Sequence, residues 1–390
     1  PLIELESDKA TMEVPSPAAG RIAAIAVKPG DRVSEGALIL TLEAAGTGPG
    51  AGEVEPRNTD SGYGGRGGPT DAPAAPQPAP AVVPASARGD VHAEVVVLGS
   101  GPGGYTAAFR TADLGKKVVL IERNPTLGGV CLNVGCIPSK ALLHAAKVIS
   151  EAEEMGHHGL RFAPPEVDID ALRAWKDSVV KQLTGGLGGL AKGRKVQVVT
   201  GFGTFAGPNT IAVDNDGATS TVSFDQCIIA AGSEPVTLPF IPHDDPRVID
   251  STGALELDGI PERMLVLGGG IIGLEMACVY DALGSSVTVV ELMDQIIPGA
   301  DKDIVKPLHK RIEGRYENIL LKTRVTDVKA RDDGLTVTFE DETGETTTDT
   351  FDRLLVAVGR RPLRLARRAL SLMRSGRRAP PRAAADGAGS

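Results

Sequence analysis

The chain has 390 residues, 42% of them hydrophobic and 23% charged, with a net charge of -9. Length and composition fit two or three soluble globular domains, and the acidic balance excludes a general binder of nucleic acid or anionic membrane. No apolar run nears the ~20 residues of a membrane span, four cysteines are too few for a secreted disulfide framework, and no signal peptide precedes Pro1, so a cytoplasmic location is expected.

Residues 1–45 alternate short β-like runs with turns at Pro29-Gly30 and Glu35-Gly36, and RIAAIAV and ALILTL read as strands. From 46 to 89 Gly, Ala and Pro supply 26 of 44 residues. Such a segment buries too little apolar surface to offset its ordering entropy and reads as a flexible linker.

Chemistry begins at AEVVVLGSGPGG, residues 93–104. An apolar strand ends in Gly99, Gly101 and Gly104, an amphipathic helix follows, and a second strand, KVVLIE, ends at Glu122. Gly99 allows the tight turn, Gly101 the approach of a pyrophosphate, and Gly104 close packing of helix on strand. The helix N-terminus offers free N–H groups to the phosphates, and Glu122 a carboxylate to ribose hydroxyls. In this strand–turn–helix–strand setting the motif predicts a dinucleotide site.

GGVCLNVGCIPSKALL follows at 128–143, holding Cys131 and Cys136. On a regular helix, residues five apart have Cα atoms about 8.7 Å apart, whereas a disulfide spans about 4.4–6.8 Å. If the two pair, the segment is therefore not regular helix there, and Gly128, Gly129 and Gly135 supply freedom for an irregular turn. A metal site needs about four ligands, and no second Cys pair or Cys/His doublet lies nearby. The readings left are a redox dithiol, which is favoured, and two unrelated buried thiols. Cys227 and Cys278 sit singly in apolar runs and read as buried small hydrophobes.

The glycine unit recurs at 264–291, with Gly268, Gly270, Gly273 and a terminal Glu291. Both units place the acid 23 positions after the first glycine, Gly99 to Glu122 and Gly268 to Glu291. Two dinucleotide sites point to a relay between two carriers. Glu291 would repel a 2′-phosphate, and the LMDQ after it offers no Arg to receive one, so NAD is favoured over NADP. The fold class expected is α/β, with a small all-β hairpin segment ahead of two Rossmann-like domains.

The order GSGPGG, GGVCLNVGCIPSK, GGGIIGLE, AVGRRP resembles the flavin disulfide reductases over about residues 93–362, and LNVGCIPSKALL looks like dihydrolipoyl dehydrogenase within them. Residues 1–45, with ESDKATMEVPSPAAG, resemble part of a lipoyl domain whose Lys9 would bear lipoate. Some bacterial relatives carry such a domain on an Ala/Pro linker. The resemblance implies an FAD domain at 90–240 and an NAD domain at 241–362. Gly99, Gly101, Gly104, Glu122, Gly129, Lys140 and Gly203 would hold FAD. Gly268, Gly270, Gly273, Glu291, Val325 and Gly359 would hold NAD. Cys131 would exchange with the lipoyl dithiol, Cys136 would stack on the flavin, and Lys140 would sit beside the flavin near Glu275. The implied partners are the lipoylated acyltransferase of a 2-oxoacid dehydrogenase complex and a second copy in a homodimer. No metal, nucleic acid or membrane partner is expected.

Two departures qualify that implication. The family base is a histidine in a C-terminal interface domain. None of His92, His144, His157, His158, His243 and His309 has that context. After Pro362 the chain turns to seven Arg, seven Ala and a single acid, Asp386. The expectation is a truncated or frame-shifted C-terminus without the interface domain, a basic nucleic-acid-binding tail being the alternative, and an N-terminus that lacks the first lipoyl strands. The competing functions are dihydrolipoyl dehydrogenase, an inactive cofactor-binding or lipoyl-carrier fragment of it, and another flavin disulfide reductase.

Overall fold

A computed structural model describes residues 3–7, 10–14, 20–27, 40–44 and 89–363, in two units that divide at Pro76. In the first unit β1 (Ile3–Ser7) pairs antiparallel with β2 (Ala10–Val14), with Ser7 opposite Ala10. β3 (Gly20–Ile25) pairs antiparallel with β4 (Leu40–Ala44). These are the all-β hairpins expected from the alternating pattern. Lys9, linker residues 46–88 and tail residues 364–390 lie outside the described residues.

The second unit opens with β5 (Val91–Leu98), α1 (Pro102–Asp113), β6 (Val118–Glu122), α2 (Gly129–Val134), α3 (Cys136–Glu154) and α4 (Ile169–Gly193). It continues with β7 (Gln197–Thr200), β8 (Phe202–Gly207), β9 (Thr210–Asn215) and β10 (Ala218–Ile229). The six strands form one sheet in the order β7-β6-β5-β10-β9-β8, parallel from β7 to β10 and antiparallel beyond. All five residues of β6 are buried, as expected of a strand covered on both faces. Leu120, Val97 and Val118 pack under Phe109 of α1 and Leu187 of α4, while Val96, Val119 and Ile121 meet Ile211, Val213 and Phe224 on the other face.

β11 (Ser233–Pro235), β12 (Val248–Ile249), α5 (Ser251–Glu256), β13 (Arg263–Leu267), α6 (Ile271–Leu283), β14 (Ser286–Val290), α7 (Lys302–Glu313) and β15 (Asn318–Leu320) come next. β16 (Arg324–Arg331), β17 (Gly334–Glu340), β18 (Thr346–Phe351), β19 (Arg353–Val356) and β20 (Arg360–Pro362) complete the described chain. A five-stranded parallel sheet runs β12-β19-β13-β14-β15, and β16-β17-β18 form an antiparallel sheet that shares its core. β20 joins neither of these sheets. It pairs antiparallel with β11, Ser233 opposite Pro362, so the chain returns there to the end of the first nucleotide fold. The repeats also share packing: Leu142 of α3, 1% exposed, sits among Met276, Tyr280 and Ala277 of α6. No helix among the described residues is long and apolar enough to cross a membrane.

Candidate functional site

Each glycine motif folds as its spacing requires. Gly99 and Gly268 have φ of +100 and +111, which L side chains rarely adopt. A Cβ on Gly104 would lie 1.8 Å from the Gly99 carbonyl oxygen, and one on Gly273 would lie 2.1 Å from that of Gly268. Helix and turn touch at these two points. A Cβ on Gly101 or Gly270 would meet nothing within 4 Å. Those two glycines keep open the space in front of the N-termini of α1 and α6, the side from which a pyrophosphate must come.

The acids close each motif. Both oxygens of Glu122, 5% exposed, are engaged: the Ser100 N–H and hydroxyl donate to Oε2 at 2.9 and 2.6 Å, and the Asn124 N–H and amide to Oε1 at 2.9 and 3.0 Å. Glu291 accepts from the Gly269 N–H at 2.8 Å and from the Met293 N–H at 2.9 Å. Each carboxylate lines its own cavity.

The first cavity, about 420 Å³, gathers residues from several elements. Gly99, Gly101, Glu122 and Gly129 line one part, and Cys131, Cys136, Ser139 and Lys140 another. Ile271, Ile272 and Glu275 come from α6 of the second repeat, and Arg360 from the returning strand. The cysteines straddle a helix break. α2 stops at Val134, Gly135 is non-helical, and α3 starts at Cys136. A Cβ on Gly135 would come 2.8 Å from the Val130 carbonyl oxygen and 3.2 Å from the Cys131 Cα. Upstream, Gly128 and Gly129 take φ of +109 and +57.

Cys131 and Cys136 are present as thiols in contact with each other, Cys136 exposed and Cys131 half-buried. Burial first, and the neighbouring Cys136 thiol second, push the Cys131 thiol up to about 11. The Cys136 backbone N–H and the Lys140 ammonium pull the other way. Cys227 lies in β10, where burial pushes its thiol up to about 12. Cys278 lies in α6, raised first by burial and then by Asp281. Neither lines any of the three cavities described here, and both are half-buried rather than fully buried as expected.

Lys140 and Glu275 meet directly, the ammonium donating to Glu275 Oε1. The buried Ser139 hydroxyl donates to Glu275 Oε2. Two consecutive residues of the first turn of α3 thus hold both oxygens of a carboxylate that belongs to the other repeat. The resemblance places Lys140 near Glu275, and the two do meet; the Ser139 half of the clamp, 136 positions from Glu275, is not foreseen.

The second cavity, about 850 Å³, is lined by Gly268, Gly270, Glu291, Val325 and Gly359, the residues expected there. Arg360 lines both cavities, its guanidinium held by the Ser233 hydroxyl at 2.9 Å and carbonyl at 2.8 Å. The structure does not bring every expected residue to a cavity wall. Gly104 and Gly273 act behind the walls. Gly203 lies inside β8, where a Cβ would come 2.7 Å from Leu98 and 3.3 Å from Ile121. It packs into the core of the first fold and does not line the first cavity. No histidine lines either cavity among the described residues.

A family model for pyridine nucleotide-disulphide oxidoreductases matches residues 93–379, well over half of the chain. The chain belongs to this family. A second model, for biotin-requiring enzymes and covering biotin/lipoyl domains, matches residues 1–42. The dihydrolipoyl dehydrogenase of Vibrio parahaemolyticus is 58% identical over 273 residues, which span 70% of this chain and 57% of that protein. The dihydrolipoyl dehydrogenase of Haemophilus influenzae is 56% identical over 276 residues, again 70% and 57%. Among solved structures, the Cu(II) complex of the HOCl-induced flavoprotein disulfide reductase RclA from Escherichia coli aligns with a TM-score of 0.60 at 27% identity, over 73% of this chain and 59% of that one. The chain thus spans little more than half the length of the relatives it matches.

Proposed function

We propose that this chain carries the cofactor and dithiol machinery of a dihydrolipoyl dehydrogenase. FAD would lie in the first cavity and NAD in the second. The dihydrolipoyl group of a lipoylated acyltransferase of a 2-oxoacid dehydrogenase complex would be its electron donor, Lys9 would be a lipoate attachment site, and the protein would act in the cytoplasm with a second copy completing a homodimer. One observation carries the reading: a single cavity is lined at once by a nucleotide turn, both cysteines, Lys140, and Glu275 of the other nucleotide repeat.

The residues present suit both nucleotides. Open space in front of Gly101 and Gly270 suits two pyrophosphates at two helix N-termini. Glu122 and Glu291 suit two ribose diols. In the oxidised enzyme Cys131 and Cys136 form the disulfide. A thiolate of the dithiol substrate attacks Cys131, and Cys136 leaves as thiolate. The second substrate thiolate then displaces Cys131, which leaves a substrate disulfide and the reduced pair. FAD, when bound, supplies the two-electron carrier between that pair and nicotinamide. Lys140 places a cation beside the cysteines, where it favours thiolate, and Glu275 fixes its direction.

The alternative is a cofactor-binding and lipoyl-carrying chain without turnover. It is favoured by the lack of a histidine on the cavity walls among the described residues, since a positioned base contributes ~10²–10⁴-fold. One preparation tests both readings: residues 1–390 reconstituted with FAD. NADH should bleach the flavin in a single turnover, and NAD reduction by dihydrolipoamide should be slow. Failure to bleach refutes the first reading. Rapid steady-state turnover refutes the second.

A further inference from the structure

The sequence offered no cation beside Glu291, but the fold brings two. β14 and β15 lie parallel, with Val290 opposite Leu320, so the chain leaving β15 runs alongside the chain leaving β14. The Lys322 N–H donates to the Met293 carbonyl at 3.0 Å, and the Thr323 N–H to the Glu291 carbonyl at 3.1 Å. Lys322 takes a left-handed backbone, φ +50, to make this crossing. Its side chain and that of Arg324 then line a third, polar cavity of about 390 Å³. Leu292 and Arg324 line this cavity and the second one together. The polar compartment therefore adjoins the second cavity at the acid that would hold the adenosine ribose.

The compartment's own carboxylates, Glu340, Asp341 and Glu342, outnumber its two cations. Lys322 pairs with Glu342 at 2.8 Å, with both side chains about half exposed. Arg324 stands opposite Glu340 across the β16–β17 ladder. Asp341 also lines the wall, and Asp294 acts on Lys322 from the loop after Glu291. An exposed pair of this kind holds its cation weakly and yields to a stronger anion. A phosphate with its ester oxygen on the ribose is such an anion, and Lys and Arg bind it by charge-assisted hydrogen bonds. Glu291 opposes it, being 8% exposed and fixed by two backbone N–H groups at the cavity wall.

We infer that Lys322 and Arg324 form a latent 2′-phosphate subsite on the second cavity, kept from use by the charge of Glu291 and by the pairing of Lys322 with Glu342. Discrimination between the two nicotinamide nucleotides then rests on a veto by Glu291 rather than on the absence of a phosphate site. This inference rests on the reading of the second cavity as a nicotinamide nucleotide site.

The test is a set of binding titrations with NADH and NADPH on residues 1–390 at low salt. Wild type should bind NADH in preference. E291Q should raise the NADPH-to-NADH affinity ratio at least tenfold. K322A added to E291Q should lower the ratio at least threefold, while NADH affinity stays within twofold of that of E291Q, since Lys322 lines only the third cavity. E342Q, on the surface and outside the nucleotide cavity, should raise NADPH affinity severalfold with Glu291 in place. It answers the same question if E291Q does not fold. A ratio unchanged in both E291Q and E342Q overturns the inference, and so does a gain that survives K322A in full. Wild type binding neither nucleotide would instead refute the reading of the second cavity.

Discussion

Gly101 and Gly104 are expected to fail in opposite ways when given a methyl group. At Gly104 the Cβ of alanine would sit 1.8 Å from the Gly99 carbonyl oxygen, about 1.5 Å short of ordinary contact with a backbone atom. α1 would have to lift off the turn by about that distance. Overpacking of this kind costs ~1–3 kcal/mol, against which the better helix propensity of Ala returns up to ~1 kcal/mol. The net cost of about 1–2 kcal/mol should lower the Tm of a flavin-free G104A preparation by roughly 2–8 °C, at ~2–4 °C per kcal/mol for a chain of this size. At Gly101 the Cβ would meet nothing within 4 Å, and φ is -62, which any residue adopts. G101A should unfold with wild type when flavin-free, yet bind FAD at least tenfold more weakly, because the methyl stands where the pyrophosphate approaches. Thermal unfolding of the flavin-free proteins and titration of flavin fluorescence separate the two effects. Gly273 and Gly270 repeat the contrast for NAD, at 2.1 Å and open space. G101A protein that unfolds as early as G104A, or that binds FAD normally, would refute the division of labour between the two glycines.

Replacing Cys136 by Ala removes the thiol that helps raise Cys131, so the pKa of Cys131 should fall from about 11 and its alkylation at pH 8 should quicken, followed by mass spectrometry across pH. E275Q leaves Lys140 without its countercharge. The pair is partly exposed, so chemical denaturation should register less than ~1 kcal/mol, while the rate of flavin bleaching by NADH changes by tenfold or more. Arg315 pairs with Asp281 at 2.8 Å, and burial holds the Asp281 carboxyl above its ordinary value despite that partner. R315M should raise it further and cost ~1–3 kcal/mol at pH 7. A carboxyl raised in the folded state binds protons better there than in the unfolded chain. The loss should therefore shrink as pH falls below the folded value toward ~4, measured by urea unfolding at several pH values.

The two nucleotide folds were legible because their signals are local. Gly99, Gly101, Gly104 and Glu122 carry a turn, an opening, a contact and a carboxylate at the cavity wall within one strand–helix–strand unit, and the second repeat keeps the same spacing. The break between Cys131 and Cys136 was legible conditionally: if the two pair, helix geometry and disulfide geometry are incompatible at that spacing. What stayed hidden came from elements far apart in sequence. Ser139 on Glu275, Arg360 between the cavities, and Lys322 with Arg324 beside Glu291 all depend on which strands and helices become neighbours. Gly203 shows the reverse case, in which a matched motif position packs in the core and not on a cavity wall.

The pairing of β11 with β20 has a consequence for biosynthesis. Ile229 completes the six-stranded sheet, so the first nucleotide fold has all its strands before any residue of the second has left the ribosome. The contact of Glu234 with Arg361 bridges 127 positions and can close only after the second fold has emerged. At ~5–20 residues per second that interval lasts roughly 6–25 s. Arg360 and Glu275 arrive within it, so the first cavity is assembled in two instalments. A nascent chain that captured FAD early would hold it against the first-fold wall, from the glycine turn to Lys140, and the wall carrying Glu275 and Arg360 would be built around it afterwards.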